Sequence, residues 1–379
     1  MNTLPHTALL LALAATASHA QDLTYPVVDT MQETCFDLLG DAIDCPTEGE
    51  ALYGQDAQYA RLPASYNDNG DGTVLDNNTT LVWQQTPQDD RLQYLDAIAY
   101  CSALDLGGRT DWRVPSIKEL YSLADNRGEL LTPEEGEPTP YIDTSVFDFE
   151  YPQGQMAFAG QYWSSTLYVK GPVQNGRNQA AFGFNFADGH IKAYGTGLDF
   201  FTGAAATVGL SGPDGQAPGN YVRCVSGEEG VYGVNAFVDN GDGTVTDDAS
   251  GLMWQQSDDG TRREWAEALA YCEALDLADY DDWTLPSSKE LQSIVDYNRT
   301  GFPAIDEDFF TITEDSETLD FWTSTTFGDW KNYANVIAFG LALSKSGEQT
   351  EYTDWHGAGA QRSSIKTIIG QEMTEDTTC

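Results

Sequence analysis

Basic residues are scarce in this chain. Only 18 Lys and Arg stand against 60 Asp and Glu in 379 residues, a formal charge of −42. Nucleic-acid binding needs clustered cations that displace counterions from phosphates, which a chain this acidic does not offer. Anionic lipid surfaces are disfavoured by the same repulsion. The acidic surplus reads as a hydrated, solubilising surface, with a cation-collecting surface as the alternative. Histidine is rarer still, four residues without paired spacing, and no C-x-x-C occurs. No zinc motif follows. A glycine-rich phosphate loop is absent. The hydroxyl runs Ser164-Ser165-Thr166 and Thr323-Ser324-Thr325 have no His–Asp arrangement beside them, so a hydrolase triad has no support. Long apolar runs are missing too. Ala8 to Ala15 is too short to span a bilayer as a helix. It belongs to "LPHTALLLALAATASHA", which reads as a secretory signal ending at Ala20, although its first part has no Lys or Arg. Export to the periplasm, cell surface or medium is expected.

Export puts the six cysteines in an oxidising compartment. They allow many pairings, and sequence alone does not choose among them. Cys35 and Cys45 bracket "CFDLLGDAIDC", a segment able to close as a local clip. Cys101 and Cys272 each fall on an expected helix, Cys224 lies in "NYVRCVSG", and Cys379 is the final residue of the sequence. The most economical scheme is 35–45, 101–224 and 272–379. Its last pair is the least anchored, because the second half has no counterpart of "VRC".

What the chain has in abundance is repetition. "YNDNGDGTVLD" from Tyr66 returns as "FVDNGDGTVTD" from Phe237. Trp83 and Trp254, Cys101 and Cys272, Trp112 and Trp283, Pro115 and Pro286, Glu119 and Glu290 are each 171 residues apart. Later the spacing drifts, and Trp163 to Trp322 is 159. A period this long means tandem domains, since solenoid units run about 20–50 residues. The expected layout is a signal at 1–20, a lead-in at 21–59, and domains at 60–227 and 228–379.

Each copy opens with Asn-Gly and Asp-Gly turn dipeptides, then a hairpin with Val74 and Trp83 pointing inward. One helix follows from Leu92 to Ala103 (Trp265 to Leu275 in the second copy), by apolar spacing. Another begins at Ser116 and at Ser287, where Glu119 and Glu290 complete capping boxes. Strand patterns fill the rest, with Asp188-Gly189 as a hairpin turn. The fold class is α+β, two early helices and then a short-stranded, loop-rich antiparallel sheet in each copy.

The phrases "DNGDGTV", "LVWQQ" and "LMWQQ", "DWRVPSIKEL" and "DWTLPSSKEL", "YWSST" and "FWTST", and "NYVRCVSG" resemble the Lcl C-terminal-like domain family. It is a bacterial domain of largely unknown function, named from a collagen-like surface adhesin. "WHGAGAQRS" from Trp355 also looks like tandem members. A weaker, fold-level similarity links these motifs to C-type lectin-like folds and formylglycine-generating enzymes. It implies a Cys101–Cys224 bond tying first helix to last strand. No match to the paired active-site cysteines of the enzyme branch is present.

Several residues have two readings. Asp68, Asp71 and Asp76, with Asp239, Asp242 and Asp247, form either an oxygen cage for calcium or turns that start strands; the EF-hand pattern itself fails, since its twelfth position is Asn78. The repeated tryptophans suit a core or a sugar-stacking face. Lys118–Glu119 and Lys289–Glu290 read as caps on a solvated face rather than acid–base pairs. His190 is expected to be exposed on its hairpin, and His356 is a lone candidate contact. The expectation is an exported, non-catalytic binding protein that recognises a glycan or an envelope or extracellular protein. A structural envelope module and an enzyme of formylglycine-generating or hydrolase type are the alternatives. The adhesin relative implies polyanionic glycans, whereas a charge of −42 fits neutral glycans or protein partners better.

Overall fold

The computed structural model describes residues 23–131, 136–152, 160–173, 178–205, 219–313, 317–344, 353–354 and 356–367. The expected signal, Trp355 and Cys379 lie outside the described residues. The lead-in carries a two-stranded ribbon, β1 (Cys35–Phe36) and β2 (Ala42–Ile43), closed by the Cys35–Cys45 disulfide.

Copy one begins with β3 (Tyr66–Asp68), β4 (Thr73–Asp76) and β5 (Val82–Gln84), an antiparallel run. Val74 pairs with Trp83, and both are fully buried. Gly70 and Gly72 hold φ of +74° and +85° in the turn before β4, where an L side chain is strained. Helix α1 (Tyr94–Ala103) and helix α2 (Ile117–Ser122) follow. Three long strands come next, β6 (Gln161–Val173), β7 (Asn178–Asn185) and β8 (Ile191–Asp199). β9 (Val225–Ser226) then returns to the edge of β5.

Copy two repeats the plan with β10 (Phe237–Asp239), β11 (Thr244–Asp247), β12 (Leu252–Gln255), α3 (Trp265–Glu273) and α4 (Ser288–Ser293). β13 (Asp320–Thr326) and β14 (Tyr333–Ala338) form its main hairpin, followed by a small ribbon, β15 (Leu343–Ser344) and β16 (Thr353–Asp354), and by β17 (Gln361–Ile365). Both α+β domains therefore have two helices and antiparallel strands. Ser116 and Ser287 each accept the N–H of the glutamate three residues on, and each glutamate bonds back.

The domains are not two closed interiors. One six-stranded sheet runs β13-β14-β17-β8-β7-β6 through both copies, joined where Gln361 meets Ile191. The largest core cluster likewise mixes them, from Trp83, Leu120 and Phe184 to Trp254, Leu291 and Ile337. Each copy also keeps a private cluster around its first helix. Tyr94, Ala97, Cys101, Trp112, Val114 and Trp163 make the first. Trp265, Ala268, Cys272, Trp283, Leu285 and Trp322 are their counterparts in the second. The repeated tryptophans serve as core. Trp163 Nε1 donates to the Leu92 carbonyl (2.8 Å) and Trp322 Nε1 to the Arg263 carbonyl (2.9 Å), so the indole N–H groups buried there are paired.

Candidate functional site

The lysines of the two "KEL" motifs correct the solvated-face reading. Lys289 is buried and Lys118 is partly so, and both cross between copies. Lys118 Nζ donates to the Ser293 carbonyl at the end of α4 (2.7 Å) and to Asn235 Oδ1 (2.8 Å). Lys289 Nζ donates to the Ser122 carbonyl at the end of α2 (3.0 Å) and to the Asp29 carbonyl (2.9 Å). Each cation thus satisfies a helix C-terminal carbonyl of the other copy, where the helix dipole favours positive charge. Burial pulls both amines down to about 8, against the attraction of nearby carboxylates, Asp247 for Lys118 and Asp76 among those near Lys289. The contact is reciprocal, as in an isologous dimer, but within one chain.

That geometry redefines the acidic phrase. Asp76 and Asp247 are buried beside the lysines, at the far ends of β4 and β11. Asp247 accepts from Ala236 N–H (2.7 Å), Asn235 Nδ2 (2.9 Å) and Ser250 Oγ (2.7 Å). Asp76 accepts from Asn78 N–H (2.9 Å), and burial raises its carboxyl. At the near end, Asp68 and Asp239 each accept one glycine N–H at 2.8 Å. Asp71 and Asp242 each hold the N–H and hydroxyl of the threonine two residues on. A strand rises about 3.3 Å per residue, and β4 (Thr73–Asp76) separates Asp76 from Asp71 in the turn before it. The structure does not gather the three aspartates of either copy. Among the described residues, no group of three metal-capable side chains is assembled.

A cleft of about 610 Å³ opens at the junction of the copies. Copy one supplies Ser165 and Arg113, the joint at the very start of the second domain supplies Glu229 and Asn235, and the body of copy two supplies Asp296 and Asn298. Arg113 is neutralised by a two-pronged bond to Glu119 (2.7 and 2.6 Å). In copy two Thr284 stands where Arg113 would be, and Arg61, at the very start of copy one, is the replacement: its Nε reaches Glu290 at 2.6 Å. Arg61 also pairs with buried Asp56 (3.2 Å), which accepts from Thr30 (2.7 Å) and Thr325 (2.6 Å). The lead-in is therefore a working part of copy two.

The two lone histidines are brought together. His190 is largely covered, not exposed on its hairpin, with Nδ1 3.2 Å from Asp188 and its ring against Phe327. Lys192 pairs with the other oxygen of Asp188 at 3.1 Å. Burial and Lys192 hold the imidazoles of His190 and His356 below the usual range. Despite its own burial, Asp188 is held at about 2 by Lys192 and His190. His356 passes its carbonyl to Ala193 N–H (3.0 Å), and its buried Nδ1 has no partner among the described residues. The group is a polar join between β8 and the segment entering β17. Its neutral imidazoles and committed carboxylate act in packing.

Of the cysteines, Cys35–Cys45 and Cys101–Cys224 are bonded as expected. Cys272 is also disulfide-bonded. Among the described residues, no helix is long and apolar enough to cross a membrane. Neither the curated proteins nor the solved structures contain a match to this chain. The family model of the Lcl C-terminal domain matches twice, over residues 72–204 and 243–356. These matches start 171 residues apart, at the repeat spacing read from the tryptophans. The chain belongs to the Lcl C-terminal domain family, a non-catalytic, adhesin-type family, and carries the domain in two tandem copies.

Proposed function

We propose that this is an exported binding protein and that the cleft between its two copies takes a neutral glycan. The observation that carries this reading is a cavity walled by both copies and by the joint between them. A flat acidic surface would have favoured a purely structural role. The walls present hydroxyl and amide groups at Ser165, Asn235 and Asn298, and tyrosine rings at Tyr232 and Tyr297. Sugars are bound by such groups, through hydrogen bonds and ring contact. The carboxylates Glu229, Asp296 and Asp306 also face the cleft, and Arg113 is tied to Glu119. Sulfated or uronic sugars meet repulsion there, whereas neutral ones do not.

Export is supported by the apolar run before Ala20 and by disulfides that persist in oxidising compartments. The C-type lectin-like likeness is supported by the Cys101–Cys224 bond, which joins the first helix to the last strand of copy one. Calcium at the Asp68–Asp71 and Asp239–Asp242 turns is a separate proposal, with its own arm in the test. A glycan array run with and without calcium, on the native chain and on Ser165→Tyr and Asn298→Ala variants, tests all of this. Neutral oligosaccharides are expected to bind the native chain, and both variants to lose at least about tenfold in affinity. Binding only to sulfated glycans, or binding unchanged by either substitution, would remove the cleft from consideration. Signals unaffected by calcium would dispose of a functional calcium turn.

A further inference from the structure

The two copies carry the same hydroxyl in different company. Thr166 on β6 and Thr325 on β13 hold matching places in "YWSST" and "FWTST". Each hydroxyl oxygen accepts the N–H of the first residue of its capped helix, Ile117 in α2 (3.0 Å) and Ser288 in α4 (2.9 Å). A threonine hydroxyl still has one proton to give. Thr325 gives it to Asp56 Oδ2 (2.6 Å). Asp56 opens a lead-in turn, Asp56–Gln58, that lies against β13 and leaves Thr325 fully buried. Thr30 donates to the same oxygen (2.7 Å), and Arg61 Nη1 donates to the other (3.2 Å).

In copy one the corresponding stretch of β6 faces the cleft between the copies, whose walls include Thr166 and Arg113. Thr166 is half-buried, and its proton has no acceptor among the described residues. Gly227, 171 residues after Asp56, brings no side chain. The cations differ as well. Arg61 divides its guanidinium between Glu290 and Asp56, whereas Arg113 commits both terminal nitrogens to Glu119. A carboxylate at Thr166 would therefore lack a cation of its own and would face Glu229 and Asp296. A neutral oxygen meets no such repulsion.

We propose that Thr166 is the specificity-determining donor of this cleft, giving its hydroxyl proton to the carbonyl oxygen of an acetamido group on a neutral sugar. The inference rests on the reading of the cleft as a neutral-glycan site and narrows it to N-acetylated sugars. Copy two displays the same donor with a trigonal oxygen in place, that of Asp56. An acetamido carbonyl is the neutral group with the same acceptor geometry. A sugar hydroxyl is a weaker, tetrahedral acceptor. The acetamido N–H also finds acceptors in the cleft, since the carboxylates of Glu229 and Asp296 line it. A site that hydrogen-bonds one group of its ligand discriminates against the analogue that lacks it.

The test is calorimetric titration of the full chain with triacetylchitotriose and with cellotriose, which differ only in the acetamido groups. Triacetylchitotriose is expected to bind at least about tenfold more tightly. Thr166→Val keeps the shape, removes the proton and should bring the two sugars to equal affinity. Thr166→Ser keeps the hydroxyl and should retain the preference. The valine also removes the acceptor of Ile117 N–H, so Thr325→Val, which removes the equivalent acceptor of Ser288 N–H, is the control for a merely structural role. It should unfold earlier and still prefer triacetylchitotriose. Equal affinity of the native chain for both sugars, with binding lost in Ser165→Tyr, overturns the acetamido contact and leaves the cleft reading standing. A preference that survives Thr166→Val overturns the role of Thr166. Saturation by neither sugar up to about 10 mM removes both readings.

Discussion

Lys118 and Lys289 show how far a residue's surroundings can depart from its local sequence. Each sits in a short helix behind a serine cap, a position that reads as solvent-facing. Each instead reaches the last turn of the other copy's helix. Lys118→Met or Lys289→Met keeps the bulk and removes the donors, leaving the backbone carbonyl of Ser293 and the amide oxygen of Asn235, or the backbone carbonyls of Ser122 and Asp29, without them. Each should cost about 2–4 kcal/mol in urea unfolding, seen as a lower midpoint with an unchanged slope. The amines also set a pH dependence. Burial holds them at about 8 in the fold, against about 10.4 in the unfolded chain. Between these values the unfolded chain binds protons that the folded chain does not, so stability rises with pH from about 8 to about 10. Burial raises Tyr25, Tyr66 and Tyr141, which reverses the trend above about pH 10. Melting temperature against pH should show this rise in the native chain and a shallower one in the double variant.

At the level of elements, the contrast lies between β5 and β12. β5 is covered by β9, which the Cys101–Cys224 disulfide ties to α1 across 123 residues of sequence. Removing the bond with Cys101→Ser and Cys224→Ser should cost about 3–5 kcal/mol, the loop-closure range for so long a segment. Among the described residues β12 has no such cover, so hydrogen exchange should find the Gln255 and Thr284 amides faster than those of Gln84 and Arg113. Much at this scale was legible beforehand. The Val74–Trp83 hairpin, the helices and both capping boxes follow from spacing and side-chain chemistry over a few residues. Arg61 replacing the missing arginine of copy two was not legible, because its partner Glu290 lies 229 residues away with no motif linking them.

The whole molecule is one cooperative body assembled from a duplication. A continuous sheet, a mixed core and the crossing lysines leave neither copy with a complete interior of its own. Calorimetry of the intact chain should therefore give a single transition whose calorimetric and van't Hoff enthalpies agree. Two resolved transitions would mean that the copies unfold separately. The proposed binding cleft exists only at this scale, since its walls come from both copies and the joint.

By itself the sequence determined the duplication, the α+β class, the hairpins and the capped helices. Each rests on short-range periodicity or on landmarks kept in register, which a linear reading captures. Only the tertiary structure decided which lysine meets which helix end, where the lead-in docks, how the histidines converge and how one sheet runs through both copies. Those outcomes depend on contacts between segments hundreds of residues apart, and burial, not local pattern, selects them.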